Sequence, residues 1–249
     1  MLEAIDFIIN KIFLNYYKLI AEGMMNTILL AIVGTTVGFV IGLSVGMIRA
    51  VNIESSDSSF VRFLKKLGYF ITTCYIEIFR STPMMIQAMF LYYGLRSSLN
   101  WSPLIAGMVI ISINTGAYMA EIIRSGIQSV DAGQSEAARS IGMSAFQTMR
   151  YVVLPQAIRN AFPSIGNEFI VNLKDSCVLS AIGLVELFQT GKTIAGSIFN
   201  GTPVYFTIAL IYFVITFSTS KLLGVLEKRL GYKEKGIKSI TIVEKEAVK

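Results

Sequence analysis

An apolar stretch in the second half of the chain, NEFIVNLKDS at 167–176, carries three ionisable side chains. In a helix Glu168, Asn172 and Asp175 are spaced i, i+4 and i+7 and lie on one face. Lys174 lies about 100° round the helix from Asp175. Carboxylates beside an ammonium complement both ends of a free amino acid. The sequence therefore predicts a substrate-binding group of Glu168, Asn172, Lys174, Asp175 and Ser176.

These charges also have an architectural alternative. A charge at bilayer depth costs at least ~2.5 kcal/mol on insertion scales, so an ionisable residue there is a functional candidate by default. Lys174 could instead pair with Asp175 or Glu168 and hold helices or subunits together, because paired buried charges are often structural. The residues leave both interpretations open.

A second polar group consists of Asn114, Thr115 and Tyr118 in another apolar stretch. Their side chains can hydrogen-bond to a carboxylate or an amide. Polar residues also hold membrane helices together. They are predicted either as further substrate contacts or as interhelical bonds.

No catalytic or metal-binding constellation accompanies these groups. The chain has no histidine, which removes Ser-His-Asp triads, His-dependent metalloprotease motifs and most zinc sites. It also has no Gly-x4-Gly-Lys-Ser/Thr phosphate loop. Cys74 and Cys177 lie within or beside apolar segments and are predicted as buried small hydrophobes without a disulfide. No catalytic residue, metal or cofactor is expected.

The elements that must position these side chains are membrane helices. The chain is 53% hydrophobic and only 15% charged, with a mean hydropathy of +0.61. Soluble domains carry about a quarter charged residues, and roughly 20 apolar residues cross a bilayer. The sequence predicts an all-α integral membrane protein with about five transmembrane helices, near 25–48, 82–97, 104–123, 165–188 and 203–226.

Two features of these spans leave alternatives open. The apolar stretch 69–79 is followed by Arg80-Ser81-Thr82-Pro83, so it is either a separate surface helix or the lower half of one kinked helix. Small residues recur every fourth position along the first span and predict a helix-packing face, within the chain or against a partner subunit. They are Gly34, Gly38, Gly42 and Gly46.

The basic residues are distributed asymmetrically. Four lie in 49–66, four in 124–160 and eight from Lys221 onwards, whereas 97–103 has none and 189–203 has only Lys192. The positive-inside rule therefore places the basic loops and the tail in the cytoplasm and the N-terminus outside. The net charge of +6 reflects this asymmetry, and no nucleic-acid partner is expected.

Three regions are predicted from these patterns. Residues 1–22 are predicted as an N-terminal interfacial segment, 23–230 as the transmembrane domain with a cytoplasmic loop at 124–160, and 231–249 as a charged cytoplasmic tail. Glu121 and Arg124 are predicted as boundary charges at the end of the third span.

The cytoplasmic loop has the local signals of two short helices. Asp131 and Gln134 form an Asp variant of a capping box, and Ser144 and Gln147 form a second capping box. Gly142 stands where a glycine in the left-handed conformation ends the first helix. The second helix is predicted over 145–154, and Pro155 is expected to bend the chain directly after it.

Such an elbow can be interpreted in two ways. The segment GQSEAARSIGMSAFQTMRYVVLPQA at 133–157 is polar between apolar flanks, and Ala137 and Ala138 let another surface approach closely. It is either a rigid docking element for a soluble partner or an amphipathic loop on the bilayer.

Motifs in this loop and around it resemble those of a known family. Glu136-Ala137-Ala138, Gly142 and Val152-x-Leu154-Pro155 are similar to the EAA signature of bacterial ABC importer permeases, EAA-x3-G-x9-I-x-LP, with Val for Ile. FRSTPMMIQ at 79–87 resembles that family's FRGTPLLVQ, with Ser81 for Gly. Segments 117–134 and 154–183 resemble its polar amino-acid subfamily, with Cys177 where Ser is usual. The resemblance covers roughly 23–230.

The resemblance implies a type I ABC importer permease fold in the bacterial inner membrane. The implied partners are two ATP-binding cassette subunits, an extracytoplasmic amino-acid-binding protein and a second permease subunit, either a copy or a paralogue. ATP hydrolysis would then reside on a partner chain. The ATPase-coupling helix would comprise Glu136, Ala137, Ala138, Arg139, Gly142, Leu154 and Pro155, and the positions of Glu168, Lys174 and Asp175 would lie near the substrate.

Two other functional classes remain alternatives. A secondary amino-acid transporter or channel would work without an ATPase, and half-helix symmetry between repeats would favour it, but the sequence shows no such repeat. An intramembrane enzyme would need a catalytic constellation that the residues do not provide.

Overall fold

The computed structural model describes residues 7–51 and 57–229, and this part of the chain is helical without strands. A π-helix, Phe7–Phe13, leads into the first α-helix. The α-helices are α1 Leu14–Ala50, α2 Ser59–Ser81, α3 Met84–Leu99, α4 Pro103–Gln128, α5 Ala132–Ser140, α6 Ala145–Thr148, α7 Leu154–Asp175, α8 Leu187–Ile198 and α9 Gly201–Arg229. A second π-helix, Met149–Val153, joins α6 to α7, and a 3-10 helix, Ser176–Ile182, follows α7.

Three of the five predicted spans coincide with long apolar helices. Asn10–Ala50, α4 and α9 are each long and apolar enough to cross a bilayer. They match the spans predicted near 25–48, 104–123 and 203–226.

The first helix begins earlier than predicted. No proline stands between Leu14 and the predicted start at 25, Gly23 is accommodated within the helix, and Lys18 and Glu22 are exposed on its surface without interrupting it. Residues 14–22 of the predicted interfacial segment are thus part of α1. Residues 1–6, like the tail at 231–249, lie outside the described residues.

The second predicted span is a single helix that follows a break, and the fourth is an interrupted helix. The stretch before Pro83 is a separate helix, α2, and α3 carries most of the predicted span 82–97. The continuous helix predicted at 165–188 is wrong. The α-helix ends at Asp175, a 3-10 turn follows, and Gly183 ends it with φ +77°. A hydropathy run does not register this change, because the apolar residues continue past the helix end.

The glycine stripe of α1 packs against α4 within the same chain. A Cβ on Gly34 or on Gly46 would lie 3.0 Å from the Ile111 or the Ile123 side chain of α4, respectively. A Cβ on Gly38 would lie 2.8 Å from Cβ of Thr115, closer than side chains approach one another. The predicted helix-packing role is confirmed, because the missing side chains let the two backbones meet.

Two apolar clusters complete the described core. One joins α1, α3, α4 and the 3-10 helix, and the other joins the N-terminal helices to α8 and α9. The first contains Leu30, Ala88, Tyr92, Ile110, Ile111, Leu179 and Leu184. The second contains Ile12, Ile20, Leu187, Ile194, Val204 and Ile208.

The polar loop forms an elbow, with two differences from the prediction. The Ser144–Gln147 capping box is present, and Gly142 has φ +89°. The capping box predicted at Asp131 is wrong, because its carboxylate accepts from the N–H of Gly133 at 2.8 Å and not from Gln134.

The second helix of the loop also continues beyond its predicted end at Leu154. The chain stays helical through the π-helix Met149–Val153 into α7. Pro155 stands in the first turn of α7, and because the chain is already helical before it, its missing N–H removes one intrahelical donor at this point.

Candidate substrate pocket and coupling surface

A cavity of about 720 Å³ lies between α4 and α7 at the end of α2. Two hydrogen bonds set the antiparallel register of its walls. Asn160 Nδ2 donates to Ser129 Oγ at 2.9 Å at one end, and Thr115 Oγ1 donates to Asn172 Oδ1 at 2.9 Å beyond the other. The cavity extends from Ser129 to Tyr118 along α4, about 16 Å at 1.5 Å per residue.

The structure brings together two of the predicted substrate residues. Tyr118 and Glu168 both line this cavity, at the end nearer the Thr115–Asn172 bond. Lys174 and Asp175 are exposed near the end of α7 and do not line it. The ion pairs among the described residues join Arg49 with Glu121, Arg124 with Glu121, and Lys65 with Asp57. None of them is the architectural pair considered for Lys174.

Asn172 is a buried junction between three helices. It accepts from Thr115 of α4 and donates through Nδ2 to Oγ1 of Thr35 on α1 at 2.9 Å. Its side chain is 3% exposed. Ser176 is fully buried and donates to the carbonyl of Leu173 at 3.0 Å. In this conformation all three predicted residues are engaged within the protein.

Asn114 belongs to a second junction, at the break between α2 and α3. Its Nδ2 donates to Oε1 of Gln87 at 2.9 Å and to the carbonyl of Phe79 at 3.3 Å. Gln87 Nε2 in turn donates to the carbonyls of Phe79 and Thr82 at 3.0 and 2.9 Å. Since a helix end leaves carbonyls without intrahelical partners, this pair of amides satisfies the break.

Arg80 is a pocket residue that sequence reasoning missed. It is the penultimate residue of α2, and its guanidinium carbon lies 5.5 Å from the ring centroid of Tyr118. It lines the same cavity as Glu168. The sequence did contain a signal for it, because Arg80 is a basic residue three positions before a proline that interrupts an apolar stretch.

Glu121 and Arg124, the predicted boundary charges, line the cavity between Tyr118 and Ser129 and form a network there. Arg124 donates twice to Oε2 of Glu121, at 3.0 and 2.8 Å, and Arg49 of α1 donates to Oε1. Arg49 also lies over the ring of Tyr69 on α2, 5.4 Å from its centroid. The network thereby joins the end of α1 to α4 and to the middle of α2.

The predicted coupling residues of the elbow differ in how far they are exposed to solvent. Glu136, Ala137, Arg139, Gly142 and Pro155 are exposed, Leu154 is half-buried, and Ala138 is buried. Beside them lies an exposed apolar group that sequence reasoning missed. We call it the loop patch, and it consists of Ile141, Phe146 and Tyr151, exposed by 81%, 71% and 65%. Large apolar side chains on a polar loop are typical of a docking surface.

Comparison with known families gives one match over most of the chain. The family described as "Binding-protein-dependent transport system inner membrane component" matches residues 58–232. A glutamine transport system permease protein of Escherichia coli is 34% identical over 215 residues, covering 85% of this chain and 93% of its own. A nopaline transport system permease protein of Agrobacterium fabrum is 36% identical over 224 residues, covering 86% and 88%.

Solved structures agree with these relatives. A chain from a crystal structure of an amino acid ABC transporter with histidines superposes with a TM-score of 0.76 at 39% identity, covering 87% of this chain and 96% of that one. An inward-facing structure of the methionine transporter MetNI has a TM-score of 0.74 at 23% identity, covering 86% and 97%. The second likeness shows a shared fold.

Proposed function

The chain belongs to the family of inner-membrane components of binding-protein-dependent transport systems, and from this we propose that it carries a polar amino acid through the membrane as the permease subunit of an ATP-driven importer. Its relatives are named for glutamine and nopaline, and a solved relative is described with histidines. The pocket suits such cargo, because charged and amide side chains line it together with Tyr118.

The observation that carries coupling to a separate ATPase is the loop patch beside the EAA helix. Ile141, Phe146 and Tyr151 expose apolar surface on a loop whose remaining side chains are largely polar. Exposed aromatic anchors of this kind dominate protein–protein interfaces. The patch and the EAA residues together form the seat for an ATP-binding cassette subunit.

The other partners belong to the same function. An extracytoplasmic amino-acid-binding protein delivers cargo, and a second permease subunit completes the pathway, as a copy or a paralogue. Glu168 contacts the cargo inside the pocket. Lys174 and Asp175, exposed at the end of α7, contact it on its way in or face the second subunit.

The proposed orientation has the N-terminus outside and the C-terminus in the cytoplasm. It is supported by the basic residues near the ends of α1 and α4 and in the tail. A cysteine replacing Ser98 should react with an impermeant thiol reagent on intact cells, and one replacing Ser135 should react only after permeabilisation. Labelling of the Ser135 variant on intact cells contradicts this orientation.

The test of function is uptake into proteoliposomes that hold the chain with its ATPase and binding protein. The twenty standard L-amino acids are supplied outside as radiolabelled substrates, with ATP or ADP enclosed. Uptake of a polar amino acid that requires ATP is the expected result. Uptake driven by a proton or sodium gradient in the absence of ATP supports the secondary-transporter alternative and overturns the proposal.

A further inference from the structure

We propose that Arg80 binds the α-carboxylate of the transported amino acid while Glu168 binds its α-ammonium, so that the pocket recognises the end common to all amino acids. This inference rests on the amino-acid cargo proposed above. It transfers the carboxylate-binding role predicted for Lys174, which lies outside the pocket, to a residue of a different helix.

The first support is the charge balance of the cavity. Four of its lining residues are charged: Arg80, Glu121, Arg124 and Glu168. Glu121 and Arg124 pair with each other, and Glu121 also pairs with Arg49. Within the described residues Arg80 and Glu168 have no such ion pair. The pocket thus retains one cation and one anion for a ligand that carries one of each.

The second support is how Arg80 is held. The backbone on either side of it is fixed at the α2–α3 break, because Gln87 binds the carbonyls of Phe79 and Thr82 and Asn114 binds that of Phe79. Gln87 and Asn114 are only 8% and 9% exposed. A break in a membrane helix with satisfied carbonyls is a common setting for a substrate site.

The third support is the contact with Tyr118. A guanidinium that stacks on an aromatic ring uses its flat face, and its N–H donors lie along the edge. The distance of 5.5 Å between the Arg80 guanidinium carbon and the ring centroid is within the range of such stacking. The edge donors can bind both oxygens of a carboxylate, which a lysine ammonium does less specifically.

The experiment measures binding to the permease–ATPase complex in nanodiscs without the binding protein, so that recognition by that protein does not enter. The probes are the twenty standard L-amino acids and the α-carboxamide of each one that binds. Affinity is obtained from the dependence of the unfolding temperature on ligand concentration. The variants are Arg80→Gln, Arg80→Lys and Glu168→Gln.

The matched control is Arg96→Gln. Arg96 is also exposed and lies over a tyrosine ring, 5.5 Å from the Tyr92 centroid, but it does not line the pocket. It tests whether loss of any such arginine changes ligand binding.

Loss of a charge-assisted hydrogen bond should weaken amino-acid binding by roughly 10- to 150-fold in Arg80→Gln. The α-carboxamide lacks the carboxylate, so it should bind the parent weakly and the Arg80→Gln variant no worse. Arg80→Lys should retain part of the affinity, Glu168→Gln should weaken both ligands, and Arg96→Gln should change neither.

Several results overturn the inference. Equal weakening of both ligands, or none, in Arg80→Gln removes Arg80 from carboxylate recognition. A defect that is confined to nanodiscs of phosphatidylglycerol and absent in phosphatidylcholine assigns the guanidinium to an anionic lipid headgroup. If no amino acid shifts the parent complex while ATP-dependent uptake persists, the pocket assignment fails and the transport function stands. If Arg80→Gln does not assemble, Arg80→Lys is used instead. Equal weakening of the amino acid and of its α-carboxamide in that variant, or no weakening of either, likewise removes Arg80 from carboxylate recognition.

Discussion

The side-chain amide of Asn114 on α4 donates to Oε1 of Gln87 on α3 across 2.9 Å, with both residues buried. This bond orients the Gln87 amide so that its Nε2 faces the carbonyls at the end of α2. The break at Pro83 is therefore supported by the neighbouring helix. Through this support α4 helps determine where Arg80 stands.

Gln87→Leu should destabilise the protein. Leucine has a similar size but removes the Oε1 acceptor of the buried Asn114 amide, and a buried polar group that loses its partner costs about 1–3 kcal/mol. The free energy of unfolding in detergent should fall by that amount. Gln134→Leu is the control, because Gln134 is exposed on α5 and its loss should be nearly neutral. Equal stability of the two variants contradicts a structural role for the Gln87 amide.

The two amide junctions show where prediction from sequence ends. Asn114 and Gln87 are 27 residues apart, and Asn172 and Thr35 are 137 apart. No local pattern identifies such pairs, so the sequence left open whether Asn114 and Thr115 contact the substrate or form bonds between helices. Features fixed by neighbouring residues were predictable, among them the Ser144–Gln147 capping box and the left-handed Gly142.

The hydropathy pattern has the same limit. It located α1, α4 and α9 because each is a long uninterrupted apolar run. It did not locate the end of α7 at Asp175, since the 3-10 helix after it is equally apolar. The pocket arises from the arrangement of α2, α4 and α7, and Arg80 is recognised as part of it only in three dimensions.

Gly38→Ala should weaken the packing of α1 on α4. The added Cβ would lie 2.8 Å from Cβ and Cγ2 of Thr115 and 3.2 Å from the backbone nitrogen of Gly116, which cannot rotate away. Overpacking of this kind costs about 1–3 kcal/mol. Unfolding in detergent measures the loss. Gly94→Ala is the control, because nothing lies within 4 Å of its Cβ position in α3. It should stabilise by up to about 1 kcal/mol, and a Gly38→Ala variant that behaves likewise disproves the close approach.

Gly142→Val should uncouple ATP hydrolysis from transport. Nothing lies within 4 Å of a Cβ at this position, so the effect comes from the backbone conformation at φ +89°. A β-branched residue adopts that conformation at a cost of order 1–3 kcal/mol, and the turn between α5 and α6 should rearrange. ATP consumed per amino acid transported should rise. Asparagine tolerates the left-handed region, so Gly142→Asn should remain coupled. Parental coupling in the valine variant argues against a rigid elbow.

Phe146→Ser should weaken binding of the ATPase subunit. Phe146 is 71% exposed in the loop patch, and loss of an aromatic anchor of about 2 kcal/mol corresponds to roughly 30-fold in affinity. Titration of purified permease with the ATPase subunit measures this. Phe199 is the matched control, because it is 95% exposed between α8 and α9, away from the loop. A similar loss in Phe199→Ser, or none in Phe146→Ser, removes the loop patch from the interface.

Lys174→Gln and Asp175→Asn separate the two interpretations of the charges at the end of α7. Both side chains are exposed, and they form no ion pair with each other. Each single variant should therefore keep its stability within about 0.5 kcal/mol. If these charges contact the cargo, each change should raise the half-saturating concentration of amino acid in ATP-dependent uptake by roughly 10- to 150-fold. Lys192→Gln, an exposed change on α8, should leave uptake unaltered.

A structural ion pair predicts the opposite pattern, in which each single change destabilises the protein by about 3–5 kcal/mol and the double change restores both stability and uptake. Measuring unfolding and uptake for both single variants and the double decides between them.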